Sequence, residues 1–325
     1  NRITKVSMSN SKKCDASGSD LEQVADKLWN KRSLMYWLFP SKRLDDTIGS
    51  LSNAASLYQT ENNWEKAGDT YFKIAQLIES NKIKGLEYLL SDFEIRRAYD
   101  NAAKCYDKIE HGNSLICRNN IISSFKSDGR FSRAGDTAIE MAEVYEKRLD
   151  LANSIEYYKY ANELFELDMA KESKDKAIGC LIKSSELGII LGMSNYKEII
   201  DGYTQAIEYY KTSKQHTYEI KEYMLKSLLV LVTNESIEST KAKFKEYEEK
   251  DSKFASSAYG LFITGIINGI ENSNSDLIER LNSTYSKIYN SGPSYDLLMS
   301  NIKKQVGFVN FTSIETNGLD EPDLT

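Results

Sequence analysis

Residues 64–75 read WEKAGDTYFKIA and residues 131–142 read FSRAGDTAIEMA, so one pattern returns after 67 residues. Each copy begins with an aromatic residue and carries a glycine and an alanine seven positions apart, Gly68 and Ala75 in the first copy. Seven residues are about two turns of an α-helix, so the two small side chains share one face. Small residues on one face let a neighbouring helix approach closely. The repeat therefore predicts closely packed helices.

The spacing and the composition both favour an all-α fold. An offset of 67 residues is about two units of roughly 34, the period of tetratricopeptide repeats, in which each unit is a helical hairpin. The 325 residues include only 3 prolines and 17 glycines, too few for the frequent turns of a β-sandwich or a parallel α/β fold. No proline lies between Pro40 and Pro293, which suits long helices. We predict a tetratricopeptide-like array of antiparallel helical hairpins.

The rest of the chain is predicted as successive helices joined by short polar segments. Residues 1–19 are polar and lack periodicity, which is typical of a disordered leader. A first helix is expected from about Asp20, whose side chain would cap it, and a second from about Leu44. The last helix is expected from Tyr295 to about Gln305, and a flexible tail follows it.

Charge and cysteine usage exclude several classes of function. Forty-two Lys and Arg against 48 Asp and Glu give a formal net charge of −6, which argues against a nucleic-acid partner. Four separated cysteines and two histidines show no zinc-ligand spacing and no disulfide framework. Phosphate-binding, zinc-protease and nucleophile-elbow motifs are absent from the sequence. We expect a cytoplasmic protein that is not an enzyme, with no catalytic residue, metal or cofactor.

One apolar run near the start of the chain has six members: Leu34, Met35, Tyr36, Trp37, Leu38 and Phe39. Basic pairs flank it at 31–32 and 42–43. Aromatic side chains favour a membrane interface, and the cations suit anionic headgroups. Six residues are too few for stable insertion, so the contact would be weak and reversible. The alternative is that the run packs into the core beside the first hairpin.

Basic residues concentrate in the middle of the chain, at Arg96, Arg97, Lys104, Lys108, Arg130, Arg133 and Lys183. On one side of a helical array they would attract an acidic partner. The alternative is that most of them are ordinary solvated charges. Acidic residues gather later, around Glu235 and in the tail at Asp323. This division of charge suggests two different partners.

Short motifs along the chain resemble the soluble NSF attachment protein (SNAP) family, most closely its alpha type. The first four are NWEKAG at 63–68, DGRF at 128–131, AEVYE at 142–146 and SIEYY at 154–158. The others are CLIK at 180–183, KEY at 221–223, YDLLMSNIKK at 295–304 and the ending DEPDLT at 320–325. The resemblance covers about residues 20–325.

The resemblance implies an adaptor for vesicle-mediated transport and membrane fusion. Members of the family are twisted sheets of antiparallel helical hairpins with a C-terminal helical bundle. They bind the assembled four-helix bundle of syntaxin-type SNAREs and recruit the hexameric ATPase NSF, which pulls the bundle apart. The implied division is an array at 20–217, a bundle at 218–306 and an acidic tail at 307–325, in a cytoplasmic protein peripherally associated with membranes. The alternative is a generic tetratricopeptide-like scaffold that binds peptides.

The resemblance also implies roles for single residues. The run at 34–39 matches the family's membrane loop. Leu324 matches the penultimate leucine that stimulates the ATPase, and Glu235 and the tail residue Asp323 are the acidic candidates for NSF binding. The candidates for SNARE binding are Lys108, Arg130, Arg133 and Lys183.

Two positions depart from the pattern of the family. Asp136 and Gly179 stand where the family has lysines that are prominent in SNARE binding. The nearby Arg133 and Lys176 are the residues that would compensate.

Overall fold

A computed structural model describes residues 17–82, 92–213, 217–288 and 292–316, with side chains to residue 307 in the last range. The described elements are all α-helices, so the predicted all-α class is confirmed. They are α1 Gly18–Asn30, α2 Leu34–Leu38, α3 Pro40–Thr60, α4 Trp64–Lys82, α5 Asp92–Asp107, α6 Asn113–Ser127, α7 Phe131–Lys147, α8 Leu151–Glu166, α9 Lys171–Ile190, α10 Tyr196–Ser213, α11 Thr217–Asn234, α12 Ile237–Lys250, α13 Ala258–Glu271, α14 Ser275–Ile288 and α15 Pro293–Thr316.

The helices form two compact units, one ending at Arg130 and one beginning at Phe131. In the first unit α1, α3, α4, α5 and α6 pack in succession, each against the next. In the second unit α7 to α11 do the same, and α11 then contacts α12, α13 and α15. This order is that of a tetratricopeptide-like hairpin array followed by a helical bundle. The boundary proposed at residue 217 falls between α10 and α11, which pack together, and it stays a prediction.

The repeated stretches are the first turns of α4 and α7, and their glycines have the predicted packing role. A Cβ atom on Gly68 would lie 2.7 Å from the ring of Tyr106 in α5. A Cβ atom on Gly135 would lie 2.7 Å from the ring of Phe165 in α8. Both rings are fully buried. At each place an aromatic side chain of the next helix fills the space that the glycine leaves open.

Gly68→Ala should therefore destabilise the protein although alanine is the better helix former. The added methyl group would force the Tyr106 ring to move, and overpacking costs about 1–3 kcal/mol. Gly49→Ala in α3 is the matched control, because its Cβ would meet nothing within 4 Å. That variant should gain up to about 1 kcal/mol from helix propensity. Urea unfolding measures both, and a gain of stability in both variants would contradict the packing role of Gly68.

The hydroxyl groups of several buried or half-buried tyrosines donate to carboxylates of packed helices. Tyr58 donates to Glu22 at 3.0 Å, and Tyr106 donates to Asp69 at 2.6 Å. The same bond joins Tyr99 to Glu79 and Tyr209 to Asp175. Burial, together with the hydrogen bond to a carboxylate, raises the pKa of Tyr58 and of Tyr209 to about 12.

The raised tyrosine pKa values predict alkaline destabilisation. Unfolded tyrosine ionises near pH 10, whereas Tyr58 and Tyr209 keep their protons in the fold to about pH 12. Their contribution is complete below the unfolded pKa and is lost as the pH rises through the folded pKa. Urea unfolding from about pH 9 to 12, followed with tyrosinate absorbance, should show a falling free energy of unfolding. Tyr58→Phe should make that fall shallower, and an identical slope would contradict the assignment.

Three helix boundaries differ from the sequence predictions. Ser17, and not Asp20, caps α1: the Asp20 amide donates to the Ser17 hydroxyl at 3.3 Å, and the Ser17 amide donates back to the Asp20 carboxylate at 3.0 Å. α3 begins at Pro40, before Leu44, because proline suits the first position of a helix. α15 continues to Thr316, so the first part of the expected tail is helical. Residues 1–16 and 317–325 lie outside the described residues.

Left-handed residues end several helices and reverse the chain into the next one. Asn62 has φ 58° between α3 and α4, and Leu149 has φ 60° between α7 and α8. Glu110 and Ser273 do the same at two other turns. A left-handed residue after the last helical turn is a common way to close a helix.

Candidate functional site

The apolar run at 34–39 includes α2, and most of its side chains are exposed. Leu34 and Trp37 are 73% and 75% exposed, and Met35, Leu38 and Phe39 are between 40% and 59% exposed. Exposed apolar groups that lie together in sequence usually mark a protein or membrane contact. The alternative of a run packed into the core does not hold for these five residues. We call them the apolar segment.

Tyr36 is the exception within the run. It is 6% exposed, and its hydroxyl donates to Asp46 of α3 at 3.0 Å. Burial and this hydrogen bond raise the pKa of Tyr36 above its ordinary value. Tyr36 is therefore not available for the membrane contact that the sequence predicts for the run. It positions α2 on α3 so that its neighbours point outward.

Cations accompany the apolar segment on both sides. Lys31, Arg32 and Lys42 are exposed, whereas the guanidinium of Arg43 lies 4.7 Å from the centre of the Trp29 ring. Apolar side chains beside cations suit the boundary of an anionic lipid surface. No helix in the described ranges has the length and hydropathy that would cross a bilayer.

Two basic candidates of the first unit are exposed but far apart. Lys108 follows α5 and precedes α6, and Arg130 follows α6. The 15 residues of α6 thus separate them, a length of about 22 Å. Within the described residues no ion pair involves either side chain. Both are available to an acidic partner, at opposite ends of one helix.

Arg96 is not part of an exposed basic surface. It is buried, and its Nη1 donates to Asp128 at 2.7 Å and to Ser124 at 2.8 Å. Arg97 and Lys104 are exposed, as expected. The number of charges in the sequence does not separate a buried, paired arginine from exposed basic residues. The partners of Arg96 lie about thirty residues further along the chain, in or at the end of the next helix.

A second buried arginine, Arg118, was not singled out from the sequence. Its guanidinium makes two bonds to Asp107, at 2.6 and 3.2 Å. This bidentate pair joins α5 to α6. Arg118 is buried whereas Asp107 is partly exposed, and the pair fixes the packing of one helix on the other. The role of Arg118 is therefore structural.

The basic candidates of the second unit differ in their surroundings. Arg133 is exposed, and no ion pair of its side chain occurs within the described part of the chain. Lys183 is half-buried, and its Nζ lies 2.9 Å from Glu146. Lys176 lies 2.5 Å from Asp136, so its charge is already balanced by one of the two residues that depart from the family pattern. This pairing argues against compensation by Lys176.

Glu235 is an exposed carboxylate held in place at the end of α11. The hydroxyl of Tyr196 donates to it at 2.7 Å. Hydrogen bonds from Tyr196 and Ser239 keep the pKa of Glu235 below its ordinary value, so it stays ionised. Asp323 and Leu324, the other two candidates for NSF binding, lie outside the described residues.

The described residues contain no group of three His, Cys, Asp or Glu side chains arranged to hold a metal ion. Cys105, Cys117 and Cys180 are buried free thiols. Burial raises the pKa of Cys117 and of Cys180 to about 12, which keeps them protonated and unreactive. These cysteines therefore belong to the core.

Comparison with known proteins identifies the family. A family model described as "Soluble NSF attachment protein, SNAP" matches residues 16–306. The human alpha-soluble NSF attachment protein is 24% identical over 300 residues, covering 90% of this chain and 97% of that protein. The vesicular-fusion protein SEC17 of Komagataella phaffii is 22% identical over 288 residues, covering 88% and 90%.

A third relative is the alpha-soluble NSF attachment protein of Vitis vinifera, 23% identical over 238 residues, covering 73% of this chain and 76% of that protein. These relatives are named for attachment and vesicular fusion, and none of the three is named as an enzyme. The family match extends over most of the chain, and the packing order of the helices agrees with the resemblance found in the sequence. The chain belongs to the soluble NSF attachment protein family.

Proposed function

We propose that this chain is the adaptor that binds assembled SNARE complexes and recruits and stimulates the ATPase NSF in vesicle-mediated transport. The observation that carries the proposal is the family match over residues 16–306. The relatives are named for attachment to NSF and for vesicular fusion. The role is that of a binding protein, and ATP hydrolysis belongs to NSF.

The exposed basic residues are the proposed contacts with the SNARE bundle. Lys108, Arg130 and Arg133 are exposed, and Lys183 is half-buried beside Glu146. Exposed charge pairs contribute only about 0–1 kcal/mol each. Tight binding therefore needs many weak contacts. A second attachment point also raises the effective concentration of the chain at the SNARE bundle.

The apolar segment is the proposed second attachment point, at a membrane surface. Its five exposed side chains would enter the boundary between headgroups and acyl chains, and Lys31, Arg32 and Lys42 would meet anionic headgroups. With so few apolar residues the contact is reversible. The chain would thus be cytoplasmic and peripherally associated with membranes, and it would leave once the SNARE bundle is disassembled.

A capture experiment tests the proposed function. Assembled SNARE bundle is immobilised and exposed to the chain, then to NSF with a non-hydrolysable ATP analogue. The bundle should retain the chain, and it should retain NSF only when the chain is present. Unassembled SNARE helices serve as the control and should retain little. Binding to isolated peptides without binding to the assembled bundle would instead support a generic tetratricopeptide-like scaffold.

A further inference from the structure

The apolar segment is bracketed by a mirrored sequence pattern. Residues 31–33 read KRS and residues 41–43 read SKR, so a serine and a basic pair stand on each side of the run at 34–39. Ser33 and Ser41 are both partly exposed. Neither serine has a role in the membrane contact proposed above, although each lies within two residues of side chains that would take part in it.

Ser33 lies where a modifying enzyme can reach it. It belongs to the short non-helical stretch between α1 and α2, and its backbone is extended, with φ −120° and ψ 141°. Its side chain makes no capping hydrogen bond to α2. Protein kinases select their substrates partly through the charges around the serine, and Lys31 and Arg32 directly precede Ser33. Ser41, in contrast, already belongs to the first turn of α3.

The part of the chain around Ser33 has only a small excess of positive charge. Between residues 31 and 46 four basic residues stand against two aspartates, so the formal net charge is +2. One of these aspartates is Asp46, which accepts the hydrogen bond from Tyr36 that holds α2 on α3. A single phosphoserine adds a charge of about −1.5 to −2 at pH 7. One phosphate would therefore cancel most or all of the excess.

The place of the added charge has a second effect. Ser33 directly precedes Leu34, which is 73% exposed and would enter the boundary between headgroups and acyl chains. Moving a charged group from water into apolar surroundings is costly. A phosphate on Ser33 would thus oppose both parts of the membrane contact, the attraction of cations to headgroups and the immersion of apolar side chains.

We propose that Ser33 is a phosphorylation site whose modification releases the apolar segment from an anionic membrane surface. A protein kinase transfers the terminal phosphoryl group of ATP to the Ser33 Oγ: a new O–P bond forms, the bond to ADP breaks, and the hydroxyl proton is released. Basic clusters on membranes are released in this way by phosphorylation. The inference rests on the membrane contact in the proposed function, and it adds a means of ending that contact without altering the residues proposed to bind SNAREs.

Phosphorylation in vitro followed by vesicle binding tests the inference. The full chain is incubated with Mg-ATP and the catalytic domain of protein kinase C, which accepts serines beside basic residues, and mass spectrometry locates the phosphate. Co-sedimentation with vesicles of phosphatidylserine and phosphatidylcholine measures affinity before and after the reaction. Each basic charge near an anionic surface contributes roughly fivefold in affinity. Cancelling about two charges should therefore weaken vesicle binding at least tenfold.

Three variants isolate the contribution of Ser33. Ser33→Ala, treated with the kinase in the same way, should keep its vesicle affinity, whereas Ser33→Asp should bind more weakly without any kinase. Ser56→Asp adds a negative charge at an exposed position of α3, sixteen residues beyond Pro40. That is about 24 Å along the helix, more than two Debye lengths at physiological salt, so this variant should bind vesicles normally.

Capture of the SNARE bundle in detergent separates release from misfolding, because it should stay normal in the phosphorylated chain and in every variant. Absence of phosphate from Ser33 would overturn the inference. Unchanged vesicle affinity with Ser33 fully phosphorylated would also overturn it, while the proposed membrane contact would stand. Failure of the unmodified chain to bind anionic vesicles would instead refute the membrane contact itself, and this inference with it.

Discussion

Replacing Leu34, Met35, Trp37 and Leu38 with serine should slow the disassembly of liposome-anchored SNARE bundles about tenfold or more. Full burial of a large apolar side chain contributes about 1.5–3 kcal/mol, so even partial immersion of four exposed side chains exceeds the 1.4 kcal/mol of a tenfold change. The same variant should disassemble detergent-solubilised bundles at the normal rate, because no membrane takes part. Tyr36 is left unchanged because it holds α2 on α3.

Two measurements give this prediction its controls. The double variant Leu167→Ser, Met169→Ser removes exposed apolar side chains from another part of the chain and should disassemble bundles normally on liposomes. Co-sedimentation with anionic vesicles should be lost only in the first variant. Equal loss of disassembly in detergent and on liposomes would indicate a folding defect and would contradict the membrane role of the apolar segment.

Leu324→Ala should abolish stimulated ATP hydrolysis and SNARE disassembly while capture of the SNARE bundle stays normal. The prediction follows from the match of Leu324 to the family's penultimate leucine. Under this assignment the Leu324 side chain acts through burial against NSF. Full burial of a leucine side chain contributes about 1.5–3 kcal/mol, so truncation to alanine removes much of that contribution.

The matched variant for this prediction is Thr325→Ala, which alters the neighbouring residue and should leave ATP hydrolysis unchanged. ATP hydrolysis by NSF is measured with saturating SNARE bundle, and capture of the bundle is measured separately without NSF. Normal disassembly by Leu324→Ala would contradict the assignment of Leu324. Loss of bundle capture in the same variant would instead indicate that Leu324 contributes to SNARE binding.

The parts of the fold that depend on neighbouring residues could be predicted from the sequence. The repeat at 64–75 and 131–142 locates the start of α4 and of α7, and it identifies Gly68 and Gly135 as sites of close packing. The apolar run at 34–39 is likewise a local pattern. The sequence leaves open whether this run is exposed or packed into the core, because hydrophobicity alone does not say whether a side chain meets the core or water.

The parts that depend on distant partners could not be predicted. Arg96 and Lys183 look alike in a charge count, yet Arg96 is buried with Asp128 whereas Lys183 bridges α9 to α7 through Glu146. Tyr36 differs from its neighbours only because Asp46 lies within reach of its hydroxyl. Each pairing joins residues ten or more positions apart, and only the packed arrangement of the helices brings them together.

The left-handed turns have a consequence for how the family can change in evolution. One residue inserted inside a helix rotates every following side chain by about 100°, which misplaces a face that must pack on its neighbour. Asn62, Glu110 and Leu149 are exposed residues between helices, and exposed loop tips are where insertions are best tolerated. Changes of length should therefore accumulate at these reversals, so that relatives only 22–24% identical can still keep each helix in register.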